Sequence, residues 1–314
     1  MGVSVFLFLP LVLPLTALPI SRLAEQHLHP RSATRLLTGF GLAMAGCSML
    51  CLGLLGVLGT AQIPGNPLPD SWSDPEVRDI VPFHVEVGAG AIAMLVVVLA
   101  AVVRTLVRQV RVGTRARRAV AHVPYGEGPA VLPDDRPYAY ALPGTPGRIV
   151  VSTGMLEHLA EDERAALLAH EQAHLTHRHH RYRLATRLAA CVNPFLRPLH
   201  RAVAYGTERW ADEEAAGAVG DRLATARAVA RAALVTHRAA VPGLAAFADP
   251  SPGPVPRRVA ALLGPVPSGR AWPPALSPAG PAAMLAAAGT AASALSALNA
   301  ATALLLILKA ATPL

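Results

Sequence analysis

Two histidines flank a glutamate in His170-Glu171-Gln172-Ala173-His174. On a helix this spacing sets the imidazoles about 40° apart around the axis on adjacent turns, so both can reach one zinc ion. Glu171 then points beside the metal, where it can take a proton from a zinc-bound water. That chemistry is hydrolysis of a peptide bond. His177, seven residues after His170, returns to within about 20° of the same face and could meet substrate or a transition-state oxygen. A solvated cluster with His179 and His180 is the alternative.

A catalytic zinc usually takes three protein ligands and leaves one position for water. Two residues compete for the third place. His180 stands where a metzincin's third histidine would be, but that scheme needs a glycine at position 177. On a continuing helix, His180 would be carried about 240° around the axis. The other is Glu208, in Thr207-Glu208-Arg209-Trp210-Ala211-Asp212-Glu213-Glu214. Glu208 and Asp212 are one helical turn apart, so one face presents two carboxylates. One can ligate zinc while the other accepts the N–H of a ligand histidine and fixes its tautomer. Glu213 and Glu214 read as surface acids, and Trp210 as core packing.

H-E-x-x-H followed by E-x-x-A-D resembles the gluzincin metallopeptidases with membrane spans, namely the BlaR/MecR-type regulatory proteases and their prenyl-protease-like and stress-protease relatives. Ala141-Leu142-Pro143-Gly144 and then Gly147-Arg148-Ile149-Val150-Val151-Ser152 resemble the paired strands before the active helix. Asn193-Pro194 stands where the BlaR/MecR branch has an Asn-Pro between its catalytic helices. Residues 255–263 are similar to a closing R-I-x-x-L segment. The resemblance runs from about residue 104 to 265. It implies one zinc ion per chain on His170, His174 and Glu208, with Glu171 as base and Asp212 supporting a ligand. It also implies a protein substrate, which in the regulatory branch is a DNA-binding repressor. BlaR/MecR sensors proper continue into an extracellular penicillin-binding domain. Its Ser-x-x-Lys motif is missing here, so beta-lactam sensing by this chain is not expected.

A helix must carry the pentapeptide. Glu161, Asp162 and Glu163 crowd its first turn, where carboxylates favour the positive end of the dipole, and residues 165–169 are strong helix formers. Strands near Tyr138–Leu142 and Arg148–Val151 could offer an edge to an extended peptide, or simply cap the helices as a hairpin. Tyr182, Arg201, Tyr205 and His177 are candidates for stabilising the oxyanion.

Composition points to a membrane. Charged residues make up 15% and hydrophobic ones 53%. Apolar runs at about 3–20, 36–61, 84–103 and 282–308 are expected to span. Pro10, Pro14 and Pro19 interrupt the first, and prolines are tolerated in spans whose neighbours satisfy the freed carbonyls. The fourth is Ala-rich, with a buried soluble helix as its alternative. Arg22, Arg31 and Arg35, then Arg104, Arg108, Arg111, Arg115, Arg117 and Arg118, place the first loop and residues 104–270 in the cytoplasm. Asp70, Asp74, Glu76 and Asp79 mark the second loop as external, and both termini face outward. The net charge of +8 then serves topology and anionic lipid. Direct nucleic-acid binding is not expected, with no recognition motif and 4% aromatics. The three cysteines, Cys47, Cys51 and Cys191, suit apolar packing and suggest no disulfide framework.

The expected fold is mainly α. Three transmembrane helices fill residues 1–103, a cytoplasmic zincin-like α+β domain with a small hairpin or sheet and a Pro-rich tail fills 104–270, and a fourth transmembrane helix covers 282–308. The expected function is a multi-pass plasma-membrane zinc endopeptidase cutting a protein at the cytoplasmic face. A membrane-protein quality-control or processing protease, or a non-catalytic zinc-containing signalling scaffold, is the alternative. A small transporter or channel would want ionisable residues deep in its spans, and the span cores here are nearly free of them.

Overall fold

The computed structural model describes residues 9–61, 84–124, 126, 128–238, 255–267 and 279–310. The start of the first apolar run, the acidic second loop and most of the Pro-rich tail lie outside the described residues. A 3-10 turn at Leu13–Thr16 leads into α1 (Ala17–His27), and α2 (Pro30–Ala61) and α3 (His84–Ala119) follow. Next come β1 (Ala130–Leu132), β2 (Ala139–Leu142), β3 (Arg148–Ser152) and α4 (Thr153–Glu157). Then α5 (Glu161–Thr176), α6 (His179–Val192), a 3-10 turn at Pro194–Leu196 and α7 (Arg197–Val219) form the centre of the molecule. The chain closes with α8 (Arg222–Arg238), α9 (Val255–Leu263) and α10 (Ala279–Ala310). Among the described residues the molecule is mostly helical with one small sheet.

Among the described residues, α2 and α3 are long and apolar enough to cross a membrane by length and composition. They differ in cover. Only 11% of α3's apolar window is buried, against 53% for α2. Val96, Val97 and Leu99 stand more than 60% exposed. The helix does not stop near residue 103 but continues through Arg104 to Ala119. The two helices run antiparallel and touch backbone to backbone at Gly59 and Gly88, where a Cβ on either would strike the other's main chain. Small residues allow such close approach. Gly88→Leu should therefore part the helices and cost about 1–3 kcal/mol. Gly90→Leu should be tolerated, because nothing lies within 4 Å of that position. Denaturant titration in detergent that found the two variants equally stable would show that the crossing contributes nothing.

Pro14 has no N–H, so the carbonyl of Pro10 loses its helical donor. Ser48 Oγ supplies one at 2.9 Å. Asn193 Nδ2 donates to the neighbouring Leu11 carbonyl and to Ser48 Oγ, each at 3.1 Å. The Asn-Pro pair thus ties the α6–α7 turn into the apolar helices. Around it, Ala17, Leu37, Met44, Leu196, Leu199 and Val203 form a buried cluster from α1, α2, α7 and the turn before α7. The boundary expected at residue 104 is therefore no gap in packing, since α1 and α2 lie directly on α7. α10 packs on α2 and α1.

The sheet has the order β1-β3-β2, with β1 parallel and β2 antiparallel to β3. β2 and β3 are the two strands expected from the sequence. β1 was missed because it is three residues long between Pro129 and Pro133, too short to show alternation. One face of the sheet covers Ala116 and Val120 through Tyr140, Leu142 and Val150. The other carries Val151 and Ala139 toward Met155, Leu159 and Leu167. Ser152 N–H donates to the Tyr138 carbonyl at 3.0 Å. Because hydrogen-bonded pairs alternate, the backbone groups of Ala139 and Ala141 face outward along the edge of β2, which packs on α5.

Candidate metal centre

α5 is built as its sequence demands. Glu163 accepts the Ala160 N–H at 2.9 Å and pairs with Arg231 at 2.9 Å, while Asp162 accepts from Arg227 at 2.8 Å. α8 is thereby fastened across the first turn. The helix ends at Thr176, and Arg178 takes the left-handed conformation (φ 53, ψ 44), which non-glycine residues rarely adopt. So the chain does turn after His174 without a glycine, and α6 starts immediately with His179.

The turn does not deliver His180 to the cluster. Among the described residues, the group whose donor atoms converge is His170, His174 and Glu208, all within 4.8 Å of one another. The two Nε2 atoms are 3.1 Å apart, and each lies 3.6 Å from a Glu208 oxygen. Tetrahedral zinc with bonds of about 2.0–2.1 Å places its donors about 3.3–3.4 Å from one another. Two imidazole nitrogens and one carboxylate at these separations fit that ion.

Each of these donors is braced from behind. His170 Nδ1 faces Asp212 Oδ1 at 3.1 Å. Asp212, fully buried, is gripped by Arg258 of α9, whose Nε and Nη2 donate at 2.8 and 2.6 Å. Arg258 Nη1 also lies 3.1 Å from Glu208 Oε2, and Arg183 Nη1 donates to Glu208 Oε1 at 3.3 Å. His174 Nδ1 lies 2.9 Å from Nδ1 of the fully buried His179. If His174 gives Nε2 to a metal, its Nδ1–H would donate to His179. His179 in turn rests on Trp210, with ring centroids 4.7 Å apart.

The electrostatics separate the groups by role. Burial disfavours charge on His170, but Asp212 and Glu208 outweigh it and raise its pKa to about 10. Burial takes His174 down to about 3 and His179 to about 2. Burial also opposes charge on Glu208, yet His174 and Arg258 hold it well below the ordinary carboxylate range. Glu171 goes the other way, raised by burial despite the Ala141 backbone amide and His170. One carboxylate is kept an anion that can ligate. The other is moved toward proton exchange.

Residues 107–192 match peptidase family M48. The matched stretch takes in the end of α3, the sheet, α5 with its H-E-x-x-H, and α6. It supports a zincin-type, zinc-dependent metallopeptidase. It stops short of Glu208, Asp212 and Arg258, so their place beside α5 rests on geometry. No curated protein and no solved structure matches the chain.

The remaining candidates lie elsewhere. His177 stacks on Trp210 at 4.6 Å and sits 3.3 Å from Glu214. Tyr205 is buried beneath the Arg257 guanidinium, 4.5 Å from its ring centroid. Tyr182 packs against the cluster of α1, α2 and α7, and Arg201 is exposed two turns before Glu208. Glu214 is exposed as expected, but Glu213 is not a surface acid. Glu213 is nearly buried between Arg209 and Arg222, and Glu214 accepts the Trp210 Nε1–H at 2.9 Å. Arg258, Arg183 and His179 are site residues whose roles sequence reasoning missed. The R-I-x-x-L segment was the available signal for Arg258, and here Leu262 of that segment anchors it in a small core with Ala216 and Ala226.

Proposed function

We propose that the chain is a membrane-embedded zinc endopeptidase that cuts protein substrates at the cytoplasmic face. One observation carries this reading: three donors spaced for tetrahedral zinc, with a non-ligating carboxylate buried beside them. A structural zinc site has no need of that carboxylate, which weighs against a non-catalytic scaffold. The membrane setting is favoured by α3, whose bare Val and Leu side chains are unsuited to water, and by the arginines from Arg104 onward.

His170, His174 and Glu208 would hold the zinc, with Asp212 and His179 keeping the two imidazoles in the ligating tautomer. When bound, zinc supplies Lewis acidity that polarises a carbonyl and acidifies a water. Glu171 accepts the proton of the attacking water and passes it to the leaving amine. The edge of β2 would pair an extended substrate through the outward backbone groups of Ala139 and the Ala141 carbonyl, while the Ala141 N–H holds Glu171. Asn193-Pro194 favours a regulatory protease whose substrate is a DNA-binding repressor. The M48 match over residues 107–192 suits a processing or quality-control protease equally.

Purified protein should contain about one zinc per chain. His170→Ala, His174→Ala and Glu208→Ala should each strip it, as read by elemental analysis. Full zinc in Glu208→Ala would remove that residue from the ligand set. A cytoplasmic reporter fused after residue 125 should be active, and an external location would redirect the search to envelope substrates.

A further inference from the structure

The stretch between the catalytic helices has an unusual charge pattern. Residues 172–207 contain six arginines and no aspartate or glutamate. They run from the end of α5 through α6 and the first half of α7. The tip between α6 and α7 is apolar and partly bare: Phe195 is 47% exposed, Pro194 is exposed, and Cys191 and Val192 are half-buried. Arg187, Arg197 and Arg201 stand exposed just behind it.

The height of this tip is fixed by hydrogen bonds. Asn193 donates to Ser48 in the middle of α2, and Cys191 Sγ lies 3.5 Å from Thr105 Oγ1 on α3. Measured from the Gly59–Gly88 crossing, Ser48 is eleven residues along α2 and Arg104 sixteen along α3. At about 1.5 Å per residue, Asn193 reaches about 8 Å further toward the apolar end than Arg104 does. An exposed Phe-Pro tip at that level has no water to face if Arg104 marks the bilayer surface.

We infer that the α6–α7 tip is a lipid anchor: Pro194 and Phe195 enter the same leaflet that Arg104 marks, and Arg187, Arg197 and Arg201 bind the phosphates of anionic headgroups. Arginine stems reach along apolar surface while their heads stay at the interface, which suits all three positions. This rests on the membrane reading above. It adds a consequence for the substrate. α6 has 14 residues, so the metal centre is held about 20 Å from the inserted tip. Scissile bonds must then lie in segments close to the membrane surface.

The test places an environment-sensitive fluorescent amino acid at position 195 in full-length protein in nanodiscs, with the same probe at Val97 and Leu223 as references. If the Phe195 variant does not fold, the exposed Pro194 takes the probe. Lipid-borne nitroxides should quench positions 97 and 195 several-fold more than aqueous iodide does, and the reverse should hold at 223. In discs containing phosphatidylglycerol the position-195 probe should lie deeper than in phosphatidylcholine alone, and Arg187→Gln with Arg197→Gln should erase that difference. Lipid quenching at 97 with iodide quenching at 195 overturns the anchor alone. Iodide quenching at both overturns the membrane reading with it. Protection of 195 from both quenchers means that protein covers the tip, which also overturns the anchor.

Discussion

Glu171→Gln is expected to keep its zinc and its fold while losing cleavage by about a thousandfold or more. The substitution keeps the side chain's shape and removes only its ability to take a proton. Nothing in the metal geometry depends on Glu171, because the converging donors are His170, His174 and Glu208. Its environment is apolar enough to raise the carboxyl pKa, so neutral Gln should be accommodated without a desolvation penalty. The amide also retains an oxygen to accept from the Ala141 backbone. Zinc content and the thermal midpoint should therefore match wild type, while hydrolysis of casein collapses. Glu208→Ala must behave differently, losing metal and turnover together. A Glu171→Gln enzyme that turns casein over near the wild-type rate would end the base assignment.

Much of this site was legible because it is local. The four-residue spacing of His170 and His174 and the matching spacing of Glu208 and Asp212 need only a helix to bring each pair onto one face. The acids at 161–163 fix where α5 begins, and Arg227 and Arg231 do meet two of them. What stayed hidden depends on breaks and on distance along the chain. His179 is carried under His174 by a left-handed Arg178, and a helix continued past Thr176 would have placed it elsewhere. Glu213 reads as a surface acid until Gly220, at φ 70, reverses the chain and returns Arg222 to it. Arg258 is separated from Asp212 by all of α8, and no periodicity connects the two. The packing of α2 on α7 was also invisible, because an apolar run reveals that a helix is buried but not against what.

Arg258→Ala should be the most destabilising change outside the metal ligands, and the loss of stability should be greatest without zinc. The guanidinium is bidentate to Asp212 and lies 3.1 Å from Glu208, and it is itself only 7% exposed. Removing it leaves the buried Asp212 and the half-buried Glu208 side by side with too little positive charge to balance them. Breaking a buried pair from one side costs about 3–5 kcal/mol. It also frees Asp212 to rotate, so His170 loses its brace and zinc affinity should fall about 10–100-fold. The remaining carboxylates would attract a cation more strongly, but that gain is undirected, whereas the lost orientation acts on a ligand atom. Bound zinc restores part of the missing charge, so the midpoint deficit should shrink when the metal is loaded and widen in chelator. Arg258→Lys returns the charge without the fork and should be intermediate. Adding Asp212→Ala to Arg258→Ala should cost less than the two single losses combined, because one pair is being removed twice. Equal midpoints for wild type and Arg258→Ala, in chelator and with zinc, would show that α9 merely covers the site and does not hold it.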